Sequence, residues 1–221
     1  MNLLINPQEC TIESIANEPA LDAHVLTPAG LRQCFQQTKH WQAEQIHPHS
    51  STDAIHPQAA AVLVPLVLRE QGVSVLLTKR TAHLRDHAGQ ISFPGGRVDA
   101  ADLSPEMTAL REAQEEVGLH AKHVELLGRL SPHHTITGYV VTPVVGLVHP
   151  PFELVAEAFE VETIFEVPLS FLMNPQHHQR RIWVLPNGLG HRQFYAIPYQ
   201  EHFIWGASAA MLRNLFHFLS A

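Results

Sequence analysis

One stretch of the chain specifies both ends of a helix. Ser104 offers a hydroxyl to the first free amides. Pro105 stands where a missing N–H costs nothing, and Glu106 puts an acid in the first turn. Gly118 supplies the residue that most readily turns left-handed and stops a helix. These signals predict a helix from about Pro105 to Val117. At about 100° per residue, Met107, Leu110, Ala113 and Val117 share one side, while Glu112, Glu115 and Glu116 gather nearly opposite. A helix with one apolar side must be laid on another element, and the segments around it read as strands.

Ala60 to Leu68 and Val73 to Lys79 are apolar, β-branched runs joined at Gly72, the pattern of a hairpin. Val124 to Leu130, Tyr139 to Val148 and Val161 to Val167 read as further strands. Arg181 to Leu185 and Phe194 to Ile197 read as a hairpin around Pro186-Asn-Gly188. Trp205 to Leu219 has the character of a closing helix. Strands and helices interleaved in this way predict an α/β or α+β layered domain. Residues 1–55 read as an N-terminal extension ahead of a domain spanning 56–221. The extension carries a short helix with Thr27 as its cap and Pro28 at its first position, and a polar linker from His47 to Asp53.

Composition narrows the function classes. The 221 residues carry 14 bases and 21 acids, a formal charge of −7, which argues against a general nucleic-acid or membrane-surface binder. The longest apolar run, Ala59 to Leu68, is ten residues and contains Pro65, about half of what a membrane span requires. The N-terminus has no signal-peptide pattern, so a cytoplasmic protein is expected. Two cysteines exclude a disulfide scaffold and a four-cysteine zinc site, and no His-Glu-x-x-His spacing occurs. The charge is also uneven. Residues 54–95 carry four bases against two acids, and residues 96–118 carry six acids against two bases.

Three carboxylates on one helix side admit two readings, a solvated acidic face or a seat for a hard divalent ion, which oxygen ligands favour. The neighbouring residues add to the second. Gly95-Gly96, Asp99, Asp102 and then Arg111-Glu112-Ala-Gln-Glu115-Glu116-Val-Gly118-Leu119 resemble the signature of the Nudix family. The second half matches throughout if Ala113 counts as the aliphatic. The first half departs, with Asp102 where glutamate is usual and one extra residue before Arg111. Upstream, Leu76 to Gly96, including Arg80, Arg85, Gly89 and Phe93-Pro-Gly-Gly96, resembles the coenzyme A pyrophosphatase branch, with Thr81 in place of serine or alanine. Thr137-Gly-Tyr139 to Gly146 is also similar to that branch.

The resemblance implies an α/β/α sandwich with a mixed central sheet and a catalytic loop-helix-loop. It implies an Mg²⁺- or Mn²⁺-dependent diphosphatase that cleaves coenzyme A or its derivatives to 3′,5′-ADP and a phosphopantetheine product. It assigns Glu112, Glu116 and Glu115 to the metal, and Arg111 to holding a glutamate or the loop. A catalytic base would be Glu115 or, from outside the signature, Glu160, with Glu162 weaker. Arg80 and Arg85 become a phosphate clamp or structural ion pairs, Lys79 a solvated base, and Phe93 a ligand contact or core residue. Gly95 and Gly96 allow close backbone approach to phosphate and metal. The expected partner is this small-molecule substrate, and a homodimer is compatible with it. The alternatives are another diphosphate substrate, such as ADP-ribose or a dinucleotide, and a nucleotide-sensing module without catalysis. His133-His134 is expected in a loop bordering the site.

Overall fold

The computed structural model describes residues 6–45, 57–84, 87–185 and 190–221. In chain order its elements are β1 (Thr11–Ile15), α1 (Pro28–Gln36), β2 (Gln58–Arg69), β3 (Gly72–Arg80), β4 (Ile91–Ser92), β5 (Gly95–Arg97), α2 (Pro105–Val117), β6 (Val124–Arg129), β7 (His133–His134) and β8 (Tyr139–Val148). They continue with β9 (Val161–Pro168), α3 (Leu169–Leu172), β10 (Gln179–Val184), β11 (His191–Tyr199), β12 (His202–Trp205) and α4 (Ala207–Ser220).

The hairpin read from the sequence forms as β2 and β3, with Leu66 opposite Val75. Gly72 at its turn has a φ of 119°, a conformation closed to most side chains. β2 also runs parallel to β8, from Gln58 beside Tyr139 to Val67 beside Val148. This pair centres a mixed sheet ordered β4-β3-β2-β8-β6, with β5 joined to β2, β7 to β8 and β9 to β3. Side chains alternate across β2. Ala61, Leu63 and Val67 pack beneath α2 with Ala109, Ala113 and Val117. Ala60, Val64 and Leu66 enter the larger core with Leu31 of α1 and Leu215, Phe216 and Leu219 of α4. Burial on both faces is why the β2 run is apolar almost throughout. The result is an α+β domain with helices on both sides of a mixed sheet.

A second sheet has the order β1-β10-β11-β12. The N-terminal residues are built into it. β1 pairs antiparallel with β10, Thr11 opposite Ile182. Thr27 caps α1 by accepting from the Gly30 N–H at 3.1 Å, and Leu31 and Cys34 are buried in the larger core. Arg213 on α4 binds Glu18 and stands 3.6 Å from Glu44, which also accepts from Arg180, Tyr195 and His217.

Some boundaries and faces differ from the sequence expectations. Trp205 ends β12, and α4 begins two residues later because Gly206, with a φ of 63°, turns the chain between them. His133-His134 forms the short strand β7 against β8 instead of a loop. The apolar side of α2 is rotated. Met107 is 45% exposed, and the buried residues are Thr108, Ala109, Ala113, Glu116 and Val117. Small residues at 109 and 113 let the helix lie close on the sheet, and this roll turns Glu116 inward. The Pro186-Asn-Gly188 turn, the His47 to Asp53 linker and Arg85 lie outside the described residues. Among those residues no helix is long and apolar enough to cross a membrane.

Candidate active site

α2 carries the carboxylates and is fixed at both ends as its sequence predicts. The Ser104 side chain accepts from the Met107 N–H at 3.3 Å, and Gly118 closes the helix at a φ of 70°. Arg111 organises the outer part of the site. It donates from Nη2 to Asp102 at 2.8 Å and to the Arg97 carbonyl at 3.1 Å, and from Nη1 to Glu112 at 2.8 Å and Glu115 at 3.0 Å. The Arg111 bonds, joined by Thr108 and the Asp99 amide, hold Asp102 far below the usual carboxylate range. Asp102 thus anchors the arginine and the loop.

The glycine pair abuts these carboxylates. The Gly95 N–H donates to Glu116 at 3.2 Å. A methyl group on Gly96 would lie 2.5 Å from the Glu112 carboxylate, and one on Gly95 would lie 2.5 Å from the Ala61 carbonyl oxygen. Both glycines are needed for space, one beside the Glu112 carboxylate and the other beside the backbone of β2.

Glu116 is 5% exposed. Burial pushes its carboxyl up to about 7; the Gly95 amide and Arg80 oppose that rise, and the charges of Glu160 and Glu112 add to it. Burial also raises Glu112, against the pull of Arg111 and with Glu115 and Glu160 adding to it. Glu160, at the residue before β9, therefore joins the carboxylates of α2 across 44 residues of chain. Arg80, the last residue of β3, stands between them, 3.5 Å from Glu116 and 3.3 Å from Glu160.

The remaining sequence candidates fall elsewhere. Phe93 is 2% exposed and packs in the larger core, so of its two readings, ligand contact or core residue, the ligand contact is corrected: the residue after β4 turns its ring inward. Lys79 pairs with Glu162 at 2.6 Å, at the surface. Sequence reasoning missed the bond from Thr81 to the segment carrying Glu160, which depends on strand pairing, and Glu157, whose carboxylate accepts from amides two and three residues on, a local turn that was open to reading.

Among the described residues no three histidine, cysteine or acidic side chains stand gathered as a finished metal cage. Arg111 and Arg80 hold the carboxylates instead. The donor set nevertheless fits a hard divalent cation. It is all oxygen, Glu116 is desolvated, and the charges of Glu112 and Glu160 bear on it, an arrangement that a bound cation would relieve.

The profile of the NUDIX domain matches residues 57–200, which include the hairpin, the glycine pair, α2 and Glu160. The chain belongs to the Nudix hydrolase family. It is accordingly a hydrolase of phosphorus-containing anhydrides, of a family that acts on small molecules and generally uses divalent metal ions. A Nudix hydrolase relative described as uncharacterized NudL, from Enterobacter sp. (strain 638), is 43% identical over 175 residues, covering 77% of this chain and 87% of that protein. The protein of the same description from Escherichia coli (strain K12) is 41% identical over 171 residues, with the same coverage. Among solved structures, the Nudix hydrolase RenU from M. smegmatis aligns with a TM-score of 0.45 at 25% identity, over 55% of this chain and 77% of that one.

Proposed function

We propose that this Nudix hydrolase cleaves the diphosphate bond of coenzyme A or its derivatives, giving 3′,5′-ADP and a 4′-phosphopantetheine product, with Mg²⁺ or Mn²⁺. The observation that carries this reading is the position of Arg80. It comes from the segment that resembles the coenzyme A branch, and its guanidinium lies against Glu116 and Glu160. A substrate with several phosphates needs cationic side chains beside its metal ligands, and Arg80 offers one there.

In this reading Glu112 and Glu116 hold the metal, with Glu115 as a third ligand. A divalent ion held there would supply charge to offset the diphosphate oxygens and to make a water more acidic. Arg111 keeps Glu112 and Glu115 aimed at the site while Asp102 keeps Arg111 in place. Glu160 accepts the water's proton at its carboxylate, whose side chain is 44% exposed and open to solvent. Arg80 and, from the same segment, Arg85 take the phosphate oxygens, and the glycine pair lets the diphosphate approach the backbone.

The test is product analysis on coenzyme A with and without added metal, beside turnover of ADP-ribose. Metal-dependent release of 3′,5′-ADP supports the reading. Far faster cleavage of ADP-ribose would replace coenzyme A by that substrate class.

A further inference from the structure

The backbone that presents Glu160 is gripped from three directions. First, β3 and β9 pair regularly from Ser74 opposite Pro168 to Lys79 opposite Thr163, and then the register slips so that Arg80 faces Val161. The slip leaves Glu162 unpaired in the ladder and draws Glu160 one position further along, beside the end of β3; a bulge re-aims side chains in this way. Second, Thr81 takes hold of two consecutive carbonyls. Its N–H donates to the Glu160 oxygen at 2.9 Å and its hydroxyl donates to the Phe159 oxygen at 2.7 Å. Third, the segment leading to Glu160 hangs on the C-terminal turn of α2. The Val155 N–H donates to the Val117 carbonyl at 3.0 Å and the Glu157 N–H to the Glu116 carbonyl at 2.8 Å. The Glu157 carboxylate then accepts from the N–H groups of Phe159 and Glu160, at 3.1 and 2.9 Å.

We propose that Thr81, assisted by Glu157, is a positioning residue for hydrolysis: it locks the 159–160 backbone so that the Glu160 carboxylate stands over Glu112 and Glu116. The inference rests on the reading of Glu160 as the base. Thr81 is buried and its hydroxyl touches no reacting group, so it acts only through that backbone. Among the described residues the Glu160 side chain has one hydrogen bond, from Arg80 at 3.3 Å, so the main chain beneath it does much to set its aim. A valine at 81 keeps the shape and the N–H bond but leaves the Phe159 carbonyl without its hydroxyl partner. A serine keeps both bonds.

The experiment measures kcat and KM for coenzyme A with Mn²⁺ in Thr81→Val, Thr81→Ser, Glu160→Gln and the double variant Thr81→Val/Glu160→Gln. Thr81→Val should lower kcat about tenfold, the scale on which sub-ångström misplacement acts, with KM within twofold. Thr81→Ser should restore it. On the Glu160→Gln background the valine should change kcat less than twofold, because the group it positions has gone. An equal loss in both backgrounds, or a wild-type rate in Thr81→Val beside a crippled Glu160→Gln, overturns the role of Thr81 alone. A wild-type rate in Glu160→Gln overturns the base assignment and this inference with it. Should Thr81→Val not fold, Glu157→Ala on the exposed side of the segment replaces it, with a several-fold kcat loss expected and an unchanged rate refuting the proposal.

Discussion

Adjacent glycines in this site should fail in different ways when a methyl group is added. On Gly96 the new carbon would sit 2.5 Å from Cδ, Oε1 and Oε2 of Glu112, where ordinary contact begins near 3.4 Å. The carboxylate must therefore retreat by about 0.9 Å, a displacement that at a reacting centre costs roughly a hundredfold in rate. Glu112 ends a flexible side chain, so it can move and folding should be almost untouched. On Gly95 the methyl meets the Ala61 carbonyl oxygen at 2.5 Å and the Val62 Cα at 2.6 Å, both in the backbone of β2. That strand is fixed by β3, β5 and β8 and cannot yield, so overpacking of about 1–3 kcal/mol is expected. Neither glycine has a positive φ, so backbone strain does not confuse the comparison. Thermal melts and metal-dependent hydrolysis, measured on both variants, make the assay. Gly96→Ala should melt near the parent temperature with kcat/KM down about a hundredfold, while Gly95→Ala should melt roughly 5 °C lower. A Gly96→Ala enzyme within threefold of parental kcat/KM would refute the assignment of Glu112 as a metal ligand held by this loop.

Glu116→Gln should fold at least as stably as the parent, since it removes a buried, repelled charge, yet lose about a hundredfold in kcat; a near-normal rate would show that the metal lies elsewhere. His178 is 1% exposed, with burial and then Arg213 lowering it to about 4, opposed by its bond to the Leu172 carbonyl. The unfolded chain binds this proton near pH 6.5 and the native state does not, so stability should fall as pH drops from about 6.5 towards 4, by up to about 3 kcal/mol. Urea midpoints at pH 7 and 5 check this, and a parental slope in His178→Gln would assign the effect to other groups. Arg213→Ala should cost about 2 kcal/mol, because it leaves the half-exposed Glu18 without its cation and removes one of the several partners of Glu44, with kcat of the folded enzyme unchanged; an unaltered melt would mean that the pairs contribute nothing.

Much of this architecture is legible in the sequence where the signal is local. The caps of α2, the turn at Gly72 and the Thr27-Pro28 start of α1 are each written in one or two residues, and all form. The roll of α2 is not local. Met107 and Leu110 look like core residues on a wheel, but the helix lies on the small side chains of Ala109 and Ala113, and only the sheet beneath decides that. β1, β5, β7 and β12 are short and carry no run of their own; they exist because a longer neighbour offers an edge. Arg80 and the carboxylates of α2 were each visible, and their meeting was not, because the pairing of β3 with β9 and the packing of α2 on β2 bring them together. Glu160 could be named from the sequence, but the slip in register that presents it could not.

The second sheet has a consequence for how the polypeptide emerges from the ribosome. Thr11 must wait for Ile182, and Glu18 for Arg213. At about 5–20 residues per second that wait is on the order of ten to thirty seconds. Meanwhile β2, β3, β8 and β9 can pair, so the catalytic sheet is complete while β1 is still an unattached peptide with Ile12 and Ile15 open to other chains. Even after docking these two side chains are 43% and 51% exposed. Until β10 emerges, Ile12 and Ile15 are thus the side chains of this sheet most open to misassociation.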